Sequence, residues 1–120
     1  MLTVLITTYN RPKLLHSLLE DLVSQQGGEK FRVHVYDDCS TEDYSEVKAF
    51  LASHGWKWYE GDENHGKIRH GEFISRIFGD QKRRKGPFLF LPDDVRLRDD
   101  FFPRMWAAWD SVKDPNKACM

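Results

Sequence analysis

The sequence predicts an α/β fold with a mostly parallel sheet and helices on both faces, in three layers. Short apolar runs typical of buried strands alternate four times with segments whose apolar residues recur at helical spacing. Turn-forming residues separate these segments. A chain of 120 residues has the size of one domain, and the sequence contains no internal repeat or linker.

Each element is placed by its own pattern. Apolar residues in a continuous run indicate a strand buried on both faces, whereas spacings of three and four indicate a helix. The expected order is a strand at 2–6, a helix from Pro12 to about Gln26, a strand at 31–36, a helix ended by Gly55, a strand at 56–59, a helix around 73–78, a strand at 88–91 and a last helix that begins at Asp99 or Asp100.

The start of the second helix carries the clearest capping signal. Ser40 or Thr41 is expected to cap it, because hydroxyl side chains accept hydrogen bonds from the first free N–H groups. Glu42 and Asp43 would then lie in the first turn, where negative charge is favourable.

Composition excludes several classes of protein. Lys and Arg number 18 against 19 Asp and Glu, so no basic field favours nucleic acid. The longest apolar runs are too short to span a bilayer, and the first residues lack the basic region of a signal peptide. Cys39 and Cys119 show neither a metal-binding spacing nor a disulfide framework. We therefore expect a cytoplasmic protein without a transmembrane segment.

Polar segments follow three of the predicted strands, at 7–11, 37–38 and 93–94. In open parallel sheets, ligands bind beyond the carboxyl ends of the strands, near the point where strand order reverses. We therefore expect these segments to meet along one rim of the sheet and to form a binding site there.

Asp93 and Asp94 are the candidate metal ligands. Two adjacent carboxylates repel each other and need a cation or hydrogen-bond donors, and hard oxygen ligands suit Mg²⁺ or Mn²⁺ bound also to phosphate. A turn in which one Asp caps the next helix is the alternative, and the spacing favours neither.

Asp37 and Asp38 allow the same two interpretations. A carboxylate there could accept hydrogen bonds from a base N–H or a ribose hydroxyl. Alternatively, the pair forms an Asx turn. Tyr9 could stack on a nucleobase or pack on the first helix. Arg11 could face a phosphate or only solvent.

Further basic groups lie in the second half of the chain. Asn64, Gly66, Lys67 and Arg69 form a turn with two cations that would suit a diphosphate, and a plain surface loop is the alternative. His65 and His70 receive no role. The basic run 82–85 is interpreted as a solvated helix end, with a contact to an anionic partner as the alternative. The aromatic stripe of Phe102, Trp106 and Trp109 is interpreted as core or interface.

These motifs resemble those of glycosyltransferase family 2 enzymes, which have the Rossmann-like GT-A fold. The segment 4–11 is similar to the family's opening strand and nucleotide loop, and 35–41 to its second strand followed by Asp-Asp-Gly-Ser-Thr. Asn64-His65-Gly66 with Arg69 resembles its Asn-x-Gly segment. The segments 90–95 and 99–101 resemble its Asp-x-Asp region and following helix.

The resemblance implies a nucleoside-diphosphate sugar as donor, most often a UDP-sugar, with Mn²⁺ or Mg²⁺ as cofactor and inverting transfer to an acceptor hydroxyl. It implies that Thr7, Tyr9 and Asp38 contact the base, Asp93 the ribose or diphosphate, and Asp94 the metal. The full set of candidate nucleotide-sugar-binding residues is Thr7, Thr8, Tyr9, Arg11, Asp37, Asp38, Asn64, Gly66, Lys67, Arg69 and Asp93.

The chain departs from the family pattern in three places. Pro92 stands where many members have the first Asp of Asp-x-Asp, and Cys39 replaces the usual Gly. Members usually have as much chain again after this region, which supplies the acceptor site and the catalytic base, whereas here only residues 95–120 follow. We therefore interpret residues 1–120 as a single truncated nucleotide-diphospho-sugar-binding domain without the acceptor-binding half, and nominate no catalytic base.

Four alternatives stay open. The chain could be a fragment of a larger transferase, its site could be completed by a second copy or another chain, or it could be a non-catalytic nucleotide-sugar-binding or assembly module. A receiver-like phosphoacceptor domain is disfavoured, because the first strand ends in Thr7-Thr8 and the acidic pairs follow the second and fourth strands.

Overall fold

Strands and helices alternate along the whole fold. The computed structural model describes residues 1–117, so the prediction for Cys119 lies outside the described residues. The elements are β1 (Leu2–Thr8), α1 (Pro12–Val23), β2 (Phe31–Asp37), α2 (Ser45–Ser53), β3 (Lys57–Glu60), α3 (His70–Lys82), β4 (Phe88–Pro92) and α4 (Phe101–Ser111). This order confirms the predicted alternation.

The four strands of the described residues form one parallel sheet in the order β3-β2-β1-β4. All seven residues of β1 are buried, as its continuous apolar sequence predicts. In register, Thr8 lies opposite Asp37 of β2, and Thr7 lies opposite Pro92 of β4. The carboxyl ends of β2 and β4 therefore flank that of β1, and the strand order reverses there.

Each face of the sheet has its own apolar core. On one face Val4, Ile6 and their neighbours pack against α1, α2 and α4, where Leu18, Val47 and Phe102 are buried. On the other face Leu5 packs against Phe73 and Ile77 of α3. Helices thus cover both faces, which confirms the three-layer prediction. Within residues 1–117, no helix is long and apolar enough to cross a membrane.

The predicted end of α1 is wrong by three residues. The helix stops at Val23, not at Gln26. The Gln25 amide donates to the Arg98 carbonyl at 2.6 Å and accepts from the Phe102 N–H at 2.8 Å. The N–H of Gln26 donates to the carbonyl of Asp99 at 2.7 Å. These residues leave the helix because they hold the segment that leads into α4.

The predicted cap of α2 is also wrong, because the helix begins at Ser45 and its N-cap residue is Tyr44, whose side chain makes no capping hydrogen bond. The backbone N–H groups of Thr41 and Glu42 instead donate to the side-chain oxygen of Asn10, at 2.8 and 3.0 Å. Asp43 precedes the helix and accepts the N–H of Ser45 at 2.9 Å. A contact with the loop after β1 therefore holds residues 41–42, in place of the cap predicted at Ser40 or Thr41.

The basic run 82–85 ends α3 and leads toward β4, as predicted for a solvated helix end. Lys82, Arg83 and Lys85 are exposed. Arg84 is half-buried, and its guanidinium donates to the hydroxyl of Tyr59 at 3.1 Å. In the aromatic stripe of α4, Phe102 is buried and Trp106 packs against the larger core, which confirms the core interpretation for those two.

Gly61 sets how closely the loop after β3 approaches β2. A Cβ built there would overlap the Asp37 carbonyl oxygen and lie 3.1 Å from the Cys39 nitrogen. We expect Gly61→Ala to lower the free energy of unfolding by about 1–3 kcal/mol, as overpacking does. Chemical denaturation measures this effect. Gly79→Ala in α3 meets no neighbour within 4 Å and should raise stability by about 0.5–1 kcal/mol through helix propensity. Equal effects of the two substitutions would contradict the close approach.

His34 makes stability depend on pH. It lies on β2 opposite Leu5, and burial, followed by the charges of Arg84, Arg32 and Lys57, lowers its pKa to about 4. The unfolded chain binds a proton near the ordinary pKa of 6.5, so stability is full above that pH and falls as the pH drops from about 6.5 toward 4.

We expect His34→Gln to reduce this acid-induced loss, measured as denaturation midpoints from pH 7.5 to 4. His54→Gln, at an exposed position, is the control. A loss of the same size in parent and His34→Gln protein would show that other groups cause it.

Candidate functional site

A cleft of about 500 Å³ opens at the carboxyl edge of the sheet, around the end of β1. It brings together residues from the ends of β1, β2 and β4 with residues around the start of α3, as the strand order predicts. The lining residues are Thr7, Thr8, Tyr9, Arg11, Asp38, Gly66, Lys67, His70, Phe73, Pro92 and Asp93.

A directed chain of hydrogen bonds holds the floor of this cleft. The Thr8 hydroxyl donates to Asp93 Oδ2 at 2.8 Å and lies 2.8 Å from the Tyr44 hydroxyl. A threonine hydroxyl has one proton and an ionised carboxylate only accepts, so Tyr44 donates to Thr8. The Tyr44 hydroxyl in turn accepts the backbone N–H of Arg11 at 2.9 Å. Tyr44 thus links the start of α2 to the loop after β1 and, through Thr8, to Asp93.

Arg11 lies between the two carboxylates that follow β4. Its Nη1 atom is 3.3 Å from Asp93 Oδ1 and 3.3 Å from Asp94 Oδ2. Burial raises the pKa of Asp93, while the hydrogen bond from Thr8 and the charge of Arg11 partly offset that rise. The Asp94 side chain is 51% exposed. The pair therefore consists of a buried, internally bonded carboxylate and an accessible one.

Asp37 and Asp38 are adjacent but have different surroundings. Asp37 is buried and accepts the backbone N–H and the hydroxyl of Ser40, which is the Asx-turn alternative. Asp38 lines the cleft, and its carboxylate accepts the backbone N–H of His65 at 3.1 Å and lies 2.7 Å from Nδ1 of the same residue. Of the two, only Asp38 faces the space where a ligand would bind.

The loop at 64–69 reaches the cleft through its middle. Gly66 and Lys67 line the cleft, and Asn64 donates to the backbone carbonyl of Asp38 at 3.0 Å. Arg69 lies outside the cleft lining, because its guanidinium pairs with the carboxylates of Glu63 and Glu72, both at 3.0 Å. The structure therefore assembles eight of the candidate nucleotide-sugar-binding residues in the cleft lining and places Asp37, Asn64 and Arg69 behind or beside it. The candidate metal ligand Asp94 also lies outside the lining, next to Asp93.

Sequence reasoning missed several residues of this region. Phe73 belongs to the apolar stripe of α3, yet at the start of the helix it also lines the cleft, as do His70 and Pro92. Tyr44 and His65 support the lining from behind. Their signal in the sequence is weak, because a tyrosine before a helix and a histidine in a loop are common surface residues.

The carboxylates after β4 fit a divalent cation, because a cationic group already bridges them. The guanidinium of Arg11 occupies the position between Asp93 and Asp94, and Asp94 keeps exposed oxygen capacity. Among the described residues, no three His, Cys, Asp or Glu side chains cluster as a complete metal site. Two carboxylates are enough for Mg²⁺ when phosphate oxygens complete its coordination.

Together, the parallel sheet and the cleft at the reversal of strand order define an open α/β domain with its candidate site at the carboxyl ends of the strands, where such folds bind their ligands. The chain belongs to glycosyl transferase family 2, because the model of that family matches residues 3–114. Both the predicted family and the predicted GT-A fold are confirmed. A comparison with curated proteins found no match.

Solved glycosyltransferase structures share this fold. S. aureus TarS aligns over 99% of this chain and 23% of its own, with a TM-score of 0.71 and 22% identity. TarS 1-349 in complex with UDP-GlcNAc aligns over 92% of this chain and 31% of its own, with a TM-score of 0.68 and 25% identity. The mannosyltransferase PcManGT from Pyrobaculum calidifontis, in complex with GDP-Man and Mn²⁺, aligns over 95% of this chain and 32% of its own, with a TM-score of 0.70 and 21% identity. The chain thus spans about a quarter to a third of the length of these structures.

Cys39 occupies a backbone position that suits glycine, with a φ of 59°. The turn expected from the family's Gly is therefore kept, but Cys39 must adopt a left-handed backbone conformation that is unfavourable for a residue with a Cβ. We expect Cys39→Gly to raise the free energy of unfolding by about 0.5–1 kcal/mol, since relief of the left-handed conformation outweighs the added chain entropy. Chemical denaturation tests this, and Cys39→Ala, which keeps a Cβ, should give no gain. A loss of stability in the glycine variant would contradict the strain.

Proposed function

We propose that this chain binds a nucleoside-diphosphate sugar in the cleft at the end of β1 and serves as the donor-binding domain of an inverting glycosyltransferase. One observation carries the proposal: Asp38 and Asp93, which directly follow the strands on either side of β1, line the same cleft as Tyr9 and Arg11. Family membership supports glycosyl transfer as the reaction class.

The nucleobase of the donor would lie near the end of β2. Asp38 offers a carboxylate that accepts an N–H, and the ring of Tyr9, 45% exposed at the cleft, offers a face for stacking. Thr7 lines the same part of the cleft. Related structures bind UDP-GlcNAc and GDP-Man. We favour a UDP-sugar for this chain.

The diphosphate would lie between Arg11, Lys67 and the carboxylates after β4. Asp94, with Asp93 behind it, would hold Mn²⁺ or Mg²⁺, and one related structure contains Mn²⁺. The cation would neutralise the charge of the leaving diphosphate. Arg11 can turn from the carboxylates toward the phosphate oxygens, because its side chain is half-exposed.

Inverting transfer also needs a base that deprotonates the acceptor hydroxyl. Asp38 and Asp93 do not suit this role, because His65 holds the former and Thr8 with Arg11 the latter. We therefore assign donor binding and orientation to the described residues. Transfer to an acceptor hydroxyl and a cytoplasmic location stay predictions.

Ligand-dependent stabilisation tests the donor site. We expect UDP with Mn²⁺ to raise the melting temperature, since a ligand at a hundred times its Kd adds about 2.7 kcal/mol. Asp94→Ala should bind UDP equally well with and without Mn²⁺, whereas Asp110→Asn, on the exposed part of α4, should behave like the parent. Full Mn²⁺ dependence in Asp94→Ala would refute the metal assignment, and no shift in the parent would refute the donor site.

Binding without transfer is the second candidate function. It is favoured because the two buried carboxylates of the cleft are already bonded to internal donors. Incubation of the purified chain with UDP-sugars and Mn²⁺, followed by measurement of UDP release, separates the two functions. Release that is lost in Asp94→Ala would exclude a purely binding role.

A further inference from the structure

His65 forms a buried partnership with Asp38. Its side chain is 2% exposed and stacks on Phe73, with ring centroids 5.2 Å apart and planes 23° from parallel. Its Nδ1 atom lies 2.7 Å from Asp38 Oδ1. Because an ionised carboxylate only accepts, Nδ1 carries the proton. The other ring nitrogen, Nε2, has no hydrogen-bond partner among the described residues, and the nearest carboxylate, Glu63, is 3.8 Å away.

Because of this contact with His65, the two carboxylate oxygens of Asp38 have different hydrogen bonds. Oδ1 accepts the His65 ring N–H and shares the backbone N–H of that residue at 3.1 Å. The same backbone N–H also points to Oδ2, at 3.2 Å. The other contact of Oδ2 is with the amide nitrogen of Asn64, at the long distance of 3.5 Å. Each oxygen thus has two contacts, but Oδ1 holds the one short bond, at 2.7 Å, and both contacts of Oδ2 are longer. A carboxylate oxygen accepts about two hydrogen bonds, so Oδ1 is saturated, whereas Oδ2 can exchange the long Asn64 contact for one strong donor.

Related structures show that the fold alone does not select the base. Two of them share this fold with TM-scores of 0.68 and 0.70, yet one holds UDP-GlcNAc and the other GDP-Man. Uracil presents a single N–H between two carbonyl groups. Guanine presents a ring N–H and an adjacent amino group, which together match both oxygens of a carboxylate.

We propose that His65 is a specificity-determining residue, which saturates one oxygen of Asp38 and so selects a base with one N–H donor, uracil, over guanine. The inference rests on the proposed function, in which Asp38 contacts the base. Of the two N–H donors of guanine, one would face Oδ1 and find no free acceptor there. A buried donor without a partner costs binding free energy, so the site would reject guanine.

Affinities for two nucleotides test this selection. We would measure the Kd of UDP and of GDP, each with Mn²⁺, by calorimetry for the parent, His65→Phe and His65→Asn. Phe keeps the stacking on Phe73 without a donor, whereas the Asn amide nitrogen can take the position of Nδ1. The parent should bind UDP at least about tenfold more tightly than GDP. His65→Asn should keep that ratio, and His65→Phe should reduce it to about threefold or less.

The outcomes separate the two proposals. A parent that binds UDP while His65→Phe keeps the full UDP preference overturns the role of His65 and leaves the proposed function standing. A loss of preference in His65→Asn equal to that in His65→Phe also overturns it. A parent that binds neither nucleotide overturns both proposals.

A second measurement covers the case in which His65→Phe does not fold. The ¹⁵N chemical shifts of the parent protein report which ring nitrogen of His65 carries the proton. The Nδ1–H tautomer, with a strongly deshielded proton, supports the partnership with Asp38. The Nε2–H tautomer would overturn the inference without any nucleotide.

Discussion

The hydrogen bonds of the Thr8 hydroxyl are the interaction on which the rest of this site depends. Thr8 is buried at the last position of β1 and joins Tyr44, before α2, to Asp93, after β4. Parallel register brings these groups within reach, because Thr8 lies opposite Asp37 on one side and Thr7 opposite Pro92 on the other. A slip of one residue in β1 would turn the hydroxyl to the opposite face. The register of the strand pairing therefore determines the geometry of the site.

The same edge of the sheet holds several features that stability alone would not favour. Asp93 is buried although burial raises its pKa, and Asn10 and Cys39 have left-handed backbones with φ of 52° and 59°. Strained residues and poorly solvated charges persist where surrounding contacts hold them, and they gather at functional sites. Here Asn10 is held by the N–H groups of Thr41 and Glu42, and Asp93 by Thr8 and Arg11.

The helices and strands could be predicted from the sequence because each has its own local spacing of apolar residues. The seven buried residues of β1 and the buried stripe of α1 follow directly from apolar spacing. The start of α2 could not be predicted, because the groups that hold the preceding segment belong to Asn10, far away in sequence. The different surroundings of Asp37 and Asp38 and the turn of Arg69 toward Glu63 also depend on tertiary contacts. The spacing of apolar residues along the sequence predicts which positions are buried, but it does not predict which group a polar side chain will bind.

The cleft lining places two carboxylates, of Asp38 and Asp93, beside two cations, of Arg11 and Lys67, and this pattern of charge bears on the ligands that suit it. Asp38 and Asp93 are each held on one side by an internal donor, and Asp94 lies exposed beside them. A phosphate that entered alone would meet these carboxylates, with Arg11 and Lys67 as the Lys and Arg side chains of the described lining that balance its charge. Under the proposed function, a ligand that brings an N–H to Asp38 and a divalent cation to Asp94, beside the cleft, would offset both carboxylates. Complementarity of this kind explains why a base and a metal-bound diphosphate would be bound together, at opposite sides of β1, and not as separate groups.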